Sequence, residues 1–205
     1  MQAAISTIIF DLGAVLIDWN PRHLYRKIFS SEEEMETFLQ NVCTSDWNEA
    51  QDEGRTLAAG TDLLVASFPQ HEENIRAYYG RWSEMLGGEI EGTKNILQQL
   101  KENGQYKLYA LTNWSDETFP VAQAMYPSLH WFDGVVVSGR EKMRKPAAAF
   151  YQLLLDRYQV AAENALFIDD NMRNVLAARE FGIESILFES PHQLKIELEN
   201  RSIII

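Results

Sequence analysis

The chain has 205 residues, 46% of them apolar and 23% charged, with six prolines and eleven glycines, which gives one core domain with room for an insertion and excludes a disordered or collagen-like chain. Eighteen basic against thirty acidic side chains leave a net charge of −12, so nucleic acid and membrane surfaces are excluded as expected partners. A small anionic substrate held by a local cation is compatible with that field, because screening confines the average charge to about 8 Å.

Cys43 stands alone, which removes intrachain disulfides, cysteine zinc sites and redox pairs. The first 30 residues lack a leader pattern, and no run approaches the roughly 18 apolar residues of a membrane span. The expected location is cytoplasmic.

Ile5 to Leu12 is a nearly continuous apolar run ending in Asp and Gly, the pattern of a strand buried on both faces. The next interval, Asn20 to Ile90, is helical. Ser31 and Glu34 form a capping-box pattern before the stripe Met35, Phe38, Leu39 and Val42. Ile75, Tyr78, Tyr79, Trp82 and Leu86 repeat that spacing up to Gly87-Gly88, which reads as a helix end followed by a loop, or as a hinge. Between these stripes, Trp47 to Arg55 is polar and without evident period.

Strand-like runs then recur at Lys107 to Thr112, Gly134 to Ser138, Ala165 to Asp169 and Glu184 to Phe188. Helical stretches separate them: Thr93 to Asn103 before Gly104, a segment opened by Pro146, and Asn174 to Phe181 before Gly182. Ser202 to Ile205 reads as a strand-like tail. The alternation predicts an α/β fold: a Rossmann-like parallel five-stranded sheet with helices on both faces plus an inserted α-helical cap. The expected division is a core of residues 1–18 and 91–205 and a cap of 19–90.

In parallel sheets the ligand crevice lies at the carboxyl ends of the strands. The polar residues there are Asp11, Thr112, Asn113, Asp169 and Asp170, joined by Lys145 in Arg144-Lys145-Pro146. Taken singly, each is also an ordinary turn, cap or surface residue. Three carboxylates at neighbouring strand ends repel one another unless a cation sits among them, and hard oxygen ligands suit Mg2+. A carboxylate nucleophile with a lysine and nearby amide and hydroxyl donors suits phosphoryl transfer through an aspartyl-phosphate.

The order of these motifs resembles the haloacid dehalogenase-like hydrolase superfamily over essentially the whole chain, in the branch with a helical cap after the first strand. Phe10-Asp11-Leu12-Gly13-Ala14-Val15 is similar to its first motif, Leu111-Thr112-Asn113 to the second, Arg144-Lys145-Pro146 to the third and Asp169-Asp170 to the fourth. The resemblance implies that Asp11 is the nucleophile and that Thr112, Asn113 and Lys145 hold the phosphate. It also implies that Asp11, the Gly13 carbonyl, Asp169 and Asp170 bind Mg2+, with Asp170 favoured as a direct ligand and Asn174 supporting the pair.

Gly13 departs from the pattern, because most phosphatases of the superfamily carry there the aspartate that protonates the leaving oxygen. General acid–base help is worth roughly 10²–10⁴ in rate. Its absence points to substrates with good leaving groups, to a proton from another residue, with Asp18 and His23 nearest in sequence, or to weak activity. The expected function is a Mg2+-dependent phosphohydrolase acting on a small phosphorylated metabolite, sugar phosphate-like. The alternatives are a metal-independent 2-haloacid dehalogenase, against which the acidic pair argues, and a phosphate-binding regulatory protein. Trp47, Gln51 and Arg55 are candidates for substrate contact, or else the end of a cap helix. Arg140, Lys142 and Arg144 form a basic cluster that steers an anion or is simply solvated. The chain is compatible with a monomer or a homodimer.

Overall fold

The computed structural model describes residues 4–204. In chain order, β1 (Thr7–Phe10) and β2 (Ile17–Trp19) lead into helices α1 (Arg22–Tyr25), α2 (Glu32–Asn41), α3 (Ser45–Asp52), α4 (Leu57–Ser67) and α5 (Glu72–Gly80). The chain returns through β3 (Leu86–Glu89), α6 (Glu91–Asn103), β4 (Lys107–Thr112), α7 (Phe119–Met125), β5 (Gly134–Val137) and α8 (Ser138–Glu141). It ends with α9 (Ala148–Tyr158), β6 (Ala165–Asp169), α10 (Met172–Glu180), β7 (Glu184–Leu187) and α11 (Pro191–Asn200).

Five strands form one parallel sheet in the order β5-β4-β1-β6-β7. Alternation along β1 sends Ile8 and Phe10 to one core layer and Ile9 to the other, which it shares with Leu111, Phe150, Tyr151 and Phe167. Both faces are covered, so the strands read as continuous apolar runs. β1 is central, and the chain moves outward through β4 and β5 before crossing to β6 and β7 on its other side. Phe10 pairs with Ala110 and with Ile168, which brings Asp11 level with the ends of β4 and β6.

The helices between β2 and β3 bury Tyr25, Met35, Phe38, Ile75 and Tyr78 in a cluster that runs on into the sheet's own layer of Ile8 and Phe10. Their starts follow from capping. Ser31, Thr44 and Thr56 each accept a backbone N–H three residues on, and Glu32, Glu33 and Glu34 favour the positive end of α2.

Three local expectations are corrected. Gly87 and Gly88 are not a loop after a helix end but part of β3, which pairs antiparallel with β2 in a two-stranded ribbon. A Cβ added at 87 would lie 2.1 Å from Asp18 Oδ2, so any side chain there would displace the Asp18 carboxylate and the His23 ring beside it. Pro146 lies in the turn before α9 rather than opening it. Residues 202–204 form no strand: Ser202 has φ +58°, and the turn it makes lets the Ile203 N–H bond to Leu198 O while Ile203 is buried. The last residue of the expected tail, Ile205, lies outside the described residues. Among the described residues no helix is long and apolar enough to cross a membrane.

Candidate active site

Asp11 follows β1 directly, and its N–H donates to Ile168 O at 2.8 Å, so the sheet's own ladder fixes its place. Its Oδ1 accepts from the Leu12 N–H at 2.7 Å and lies 2.9 Å from Lys145 Nζ. Lys145 is buried, and its ammonium also donates to Asp169 Oδ2 at 2.7 Å. Carboxylate oxygens of Asp11, Asp169 and Asp170 all lie within 4.8 Å of one another.

The charges are tightly interdependent. Burial pushes the Asp11 carboxyl up to about 7, Lys145 works against that shift, and Asp169 and Asp170 add to it. Burial lowers the Lys145 pKa, but Asp11 and Asp169 outweigh it, so the ammonium is held above its ordinary range. Partial withdrawal from water, then the neighbouring Asp169, raises Asp170. The cluster has more negative than positive charge, which is the state a divalent cation relieves.

The two members of the acidic pair differ. Asp169 is fully buried; besides Lys145 it accepts from the Asn171 N–H at 2.8 Å and from Asn174 Nδ2 at 3.0 and 3.1 Å. Asp170 is exposed and lines the cleft. Asn174 is therefore a buried partner of Asp169, and Tyr151 fixes it by donating from its hydroxyl to Asn174 O at 2.9 Å.

Thr112 is fully buried at the end of β4, and its hydroxyl has no hydrogen-bond partner among the described residues. Next to it, Asn113 donates from Nδ2 to Lys145 O at 3.0 Å and accepts the Lys145 N–H at 2.9 Å. Asn113 lines the cleft, yet its amide is spent on holding the backbone of Lys145.

A cleft of about 710 Å³ opens above Asp11, Gly13, Asp170 and Asn174, with Asn48, Glu49 and Asp52 of α3 on the opposite wall. A side chamber of about 60 Å³ adjoins it, walled by Trp19, Tyr79, Trp82 and Trp114 and shared at Gly13, Asn48, Asp52 and Asn113. Around an ideal Cβ at Gly13 there is open space to 4 Å among the described residues.

Expected substrate contacts from Trp47, Gln51 and Arg55 are corrected by the helical form of α3. Trp47 and Gln51 share the inward face of α3 at four-residue spacing, and Arg55, just past the turn that ends the helix, folds back onto them. The Trp47 indole donates to Gly60 O at 2.9 Å and packs on Tyr78 and Tyr79. Gln51 is fully buried, and Arg55 is bound to Gln51 Oε1 at 2.5 Å and to Trp47 O at 3.1 Å. None of the three lines the cleft. Asp18 and His23 pair with each other at 2.9 Å beside Gly87 and line neither cavity. In the basic cluster, Arg140 pairs with Asp116 at 2.7 Å, and Arg144 reaches Glu49 of α3 at 2.8 Å.

Residues 5–182 match the family model for haloacid dehalogenase-like hydrolases. The chain belongs to this family. It is 27% identical to the drimenol cyclase of Aspergillus calidoustus over 96% of this chain, but spans only 36% of that protein's length. The sesquiterpene phosphatase of Aspergillus oryzae is 26% identical, with 89% of each chain covered. The phosphorylated carbohydrates phosphatase of Thermotoga maritima is 25% identical over 89% of this chain and 84% of that one.

The fold has solved counterparts. A HAD family enzyme of Bacteroides thetaiotaomicron, in complex with magnesium and inorganic phosphate, superposes with a TM-score of 0.68 at 22% identity, covering 91% of this chain and 96% of the other. The L-2-haloacid dehalogenase of Xanthobacter autotrophicus gives 0.66 at 18% identity, over 98% and 85%.

This haloacid dehalogenase-like hydrolase therefore has one wall of its cleft that strand ends announce and one that they do not. The missed residues are Asn48, Glu49 and Asp52. Their signal was the helical period of residues 45–52, behind the Thr44 cap: once the stretch is read as a helix, Asn48 and Asp52 fall on a face apart from Trp47 and Gln51.

Proposed function

We propose that this haloacid dehalogenase-like hydrolase is a magnesium-dependent phosphohydrolase that cleaves a small, sugar phosphate-like metabolite through an aspartyl-phosphate on Asp11. The observation that carries the proposal is the buried Asp11 carboxylate with Lys145 2.9 Å away and two further carboxylates within metal-sharing distance. The phosphatase activities of the two relatives support it.

The residues present fit magnesium. The donor set is oxygen only, carries excess negative charge and opens onto a wide cleft that leaves room for water and a phosphate. Asp11, Asp170 and the Gly13 carbonyl would hold the ion, while Asp169, whose oxygens are taken up by Lys145, Asn171 and Asn174, positions the lysine. Bound there, the ion would supply neutralisation of the carboxylates and of the phosphate oxygens. Asp11 attacks phosphorus from its fixed place at the sheet edge. The Lys145 ammonium draws charge from the transferring group's oxygens, and the unpartnered Thr112 hydroxyl is a donor in reserve beside it. Residues 19–90 act as the cap, with α3 closing the cleft through the pairs of Glu49 with Arg144 and Arg173, each at 2.8 Å.

The test is phosphate release from an aryl phosphate and a panel of sugar phosphates, with magnesium or chelator, in wild type and Asp11→Asn. Magnesium-dependent turnover that drops about 10⁴-fold or more in the variant is expected, the scale of a lost nucleophile. Halide release from a 2-haloacid regardless of chelator, without phosphate turnover, would replace the proposal with the dehalogenase function. Phosphate-induced thermal stabilisation without any turnover would replace it with phosphate sensing.

A further inference from the structure

The phosphohydrolase proposal leaves the leaving group without a proton, since Gly13 has no side chain. Another carboxyl faces the same cavities as Gly13. Asp52, the last residue of α3, lines both the main cleft and the side chamber, and Gly13 lines both as well. The open space beyond Gly13 is thus space that Asp52 shares from the opposite wall.

Asp52 is built into position. Gln51 Nε2 donates to the Tyr79 hydroxyl at 2.9 Å, which donates to Asn48 Oδ1 at 2.9 Å. With its oxygen so used, Asn48 turns its Nδ2 to Asp52 Oδ2 at 2.9 Å. The Ser115 N–H, from the loop after β4, donates to the Asp52 carboxylate, and the Ser138 hydroxyl bonds the Asp52 carbonyl, so the helix end is pinned to the sheet domain. The environment favours the protonated acid. Burial, then Glu49 one turn back, pushes its pKa up to about 7, against the Ser115 N–H and Arg144.

We infer that Asp52 is the general acid and base of this enzyme, supplied from the helical cap in place of the side chain absent at Gly13, and that the substrates include phosphate esters of unactivated alcohols. In the first step Asp11 forms a bond to phosphorus and the bond to the leaving oxygen breaks. The Asp52 proton passes to that oxygen, giving the alcohol and an Asp52 carboxylate. In the second step water adds to phosphorus and gives one proton to Asp52, and the acyl-phosphate bond breaks, returning Asp11 as carboxylate with inorganic phosphate.

This inference rests on the phosphohydrolase proposal, and the experiment separates the two. Wild type, Asp11→Asn, Asp52→Asn and the double variant Asp52→Asn/Gly13→Asp are assayed with magnesium on an alkyl phosphate and on p-nitrophenyl phosphate across pH 5 to 9, with thermal melts to verify folding. Asp52→Asn is expected to lose about 10²–10⁴ in kcat/KM on the alkyl ester and under about 10-fold on the aryl ester. It should also lose the alkaline limb near pH 7 and show a nitrophenol burst as the second step slows. Gly13→Asp, which places a carboxyl in the open space, should recover at least about 10-fold on the alkyl ester. Equal losses on both esters with the pH limb unmoved would overturn the inference while leaving the phosphohydrolase intact. Phosphate turnover that survives Asp11→Asn would instead overturn the nucleophile and the inference with it. If Asp52→Asn does not fold, wild type decides alone: kcat/KM nearly independent of leaving-group pKa supports a proton donor, and a steep dependence rules one out.

Discussion

The sheet edge and α3 face each other across one cleft and fix their functional groups by different physics. On the sheet side, Asp11 and Asp169 are held by strand register: the backbone ladder sets where the chain ends, and burial of Ile8, Ile9, Phe10 and Ile168 sets the ladder. On the helix side, Asp52 is held by side-chain bonds through Tyr79 and Asn48 and by ion pairs reaching into the core. Placement by register leaves a trace in hydrophobic pattern. Placement by side-chain networks leaves almost none, since the same polar residues would suit any surface helix.

The contrast breaks most severely at Lys145. Lys145→Met leaves the Asp11 and Asp169 carboxylates buried without their cation, a change worth about 3–5 kcal/mol. The loss should depend on pH in a set direction. Without the ammonium the Asp11 carboxyl, already raised by burial, rises further, so the native form holds a proton that the unfolded chain gives up, and its stability falls as pH rises above about 4. Denaturant melts without added metal should therefore show a larger deficit at pH 8 than at pH 5. An equal deficit at both would mean that the carboxylates are relieved by water rather than by the lysine.

That cluster also marks the reach of the sequence. Five strand runs, each ending near a polar residue, gave the sheet and its crevice because parallel strands covered on both faces must be apolar almost throughout. Asp11, Asp169 and Asp170 converge as their places at strand ends require, and Lys145 reaches them from the turn before α9. The ribbon of β2 and β3 was invisible because Gly87 and Gly88 carry no strand propensity; Gly87 answers to the approach of Asp18 and His23, and Gly88 to its φ of +115°. For Trp47, Gln51 and Arg55 the sequence left substrate contact and a cap-helix end both open, because polar, bulky residues suit either, and their inward bonds favour the helix end. Asn113 was legible as a site residue, but not that its amide would hold Lys145 rather than stay free.

A smaller effect comes from the packing under α3. Gly60 of α4 abuts Gln51, and a Cβ there would lie 2.5 Å from Gln51 Oε1. Gln51 cannot swing away cheaply, because Trp47 O, Tyr79 and Arg55 all bind it. Overpacking costs about 1–3 kcal/mol, offset by about 1 kcal/mol of helix propensity gained, so Gly60→Ala should destabilise by about 0 to 2 kcal/mol. It should lower activity on the alkyl ester more than on the aryl ester, because the displaced Gln51 disturbs Tyr79, Asn48 and Asp52 in turn. A stability loss with both esters affected alike would detach that network from the proton donor.

The mildest change sharpens the comparison most. Glu49 pairs with Arg144 from the loop before α9 and with Arg173 of α10 at 2.8 Å each, and its side chain is 19% exposed. Pairs with that access to water contribute about 0–1 kcal/mol, so Glu49→Gln should barely move the melt. Its electrostatic consequence is separate from its stability. Glu49 is the charge that raises Asp52, and removing it also frees Arg144, which lowers Asp52, so both changes shift the Asp52 pKa downward. On the alkyl phosphate the alkaline limb should move to lower pH while the rate at pH 5 stays within a few-fold of wild type. A limb that stays in place would show that it does not report Asp52, since ionisation of the Asp11 nucleophile raises the rate with pH instead, and would take the proton chemistry away from α3.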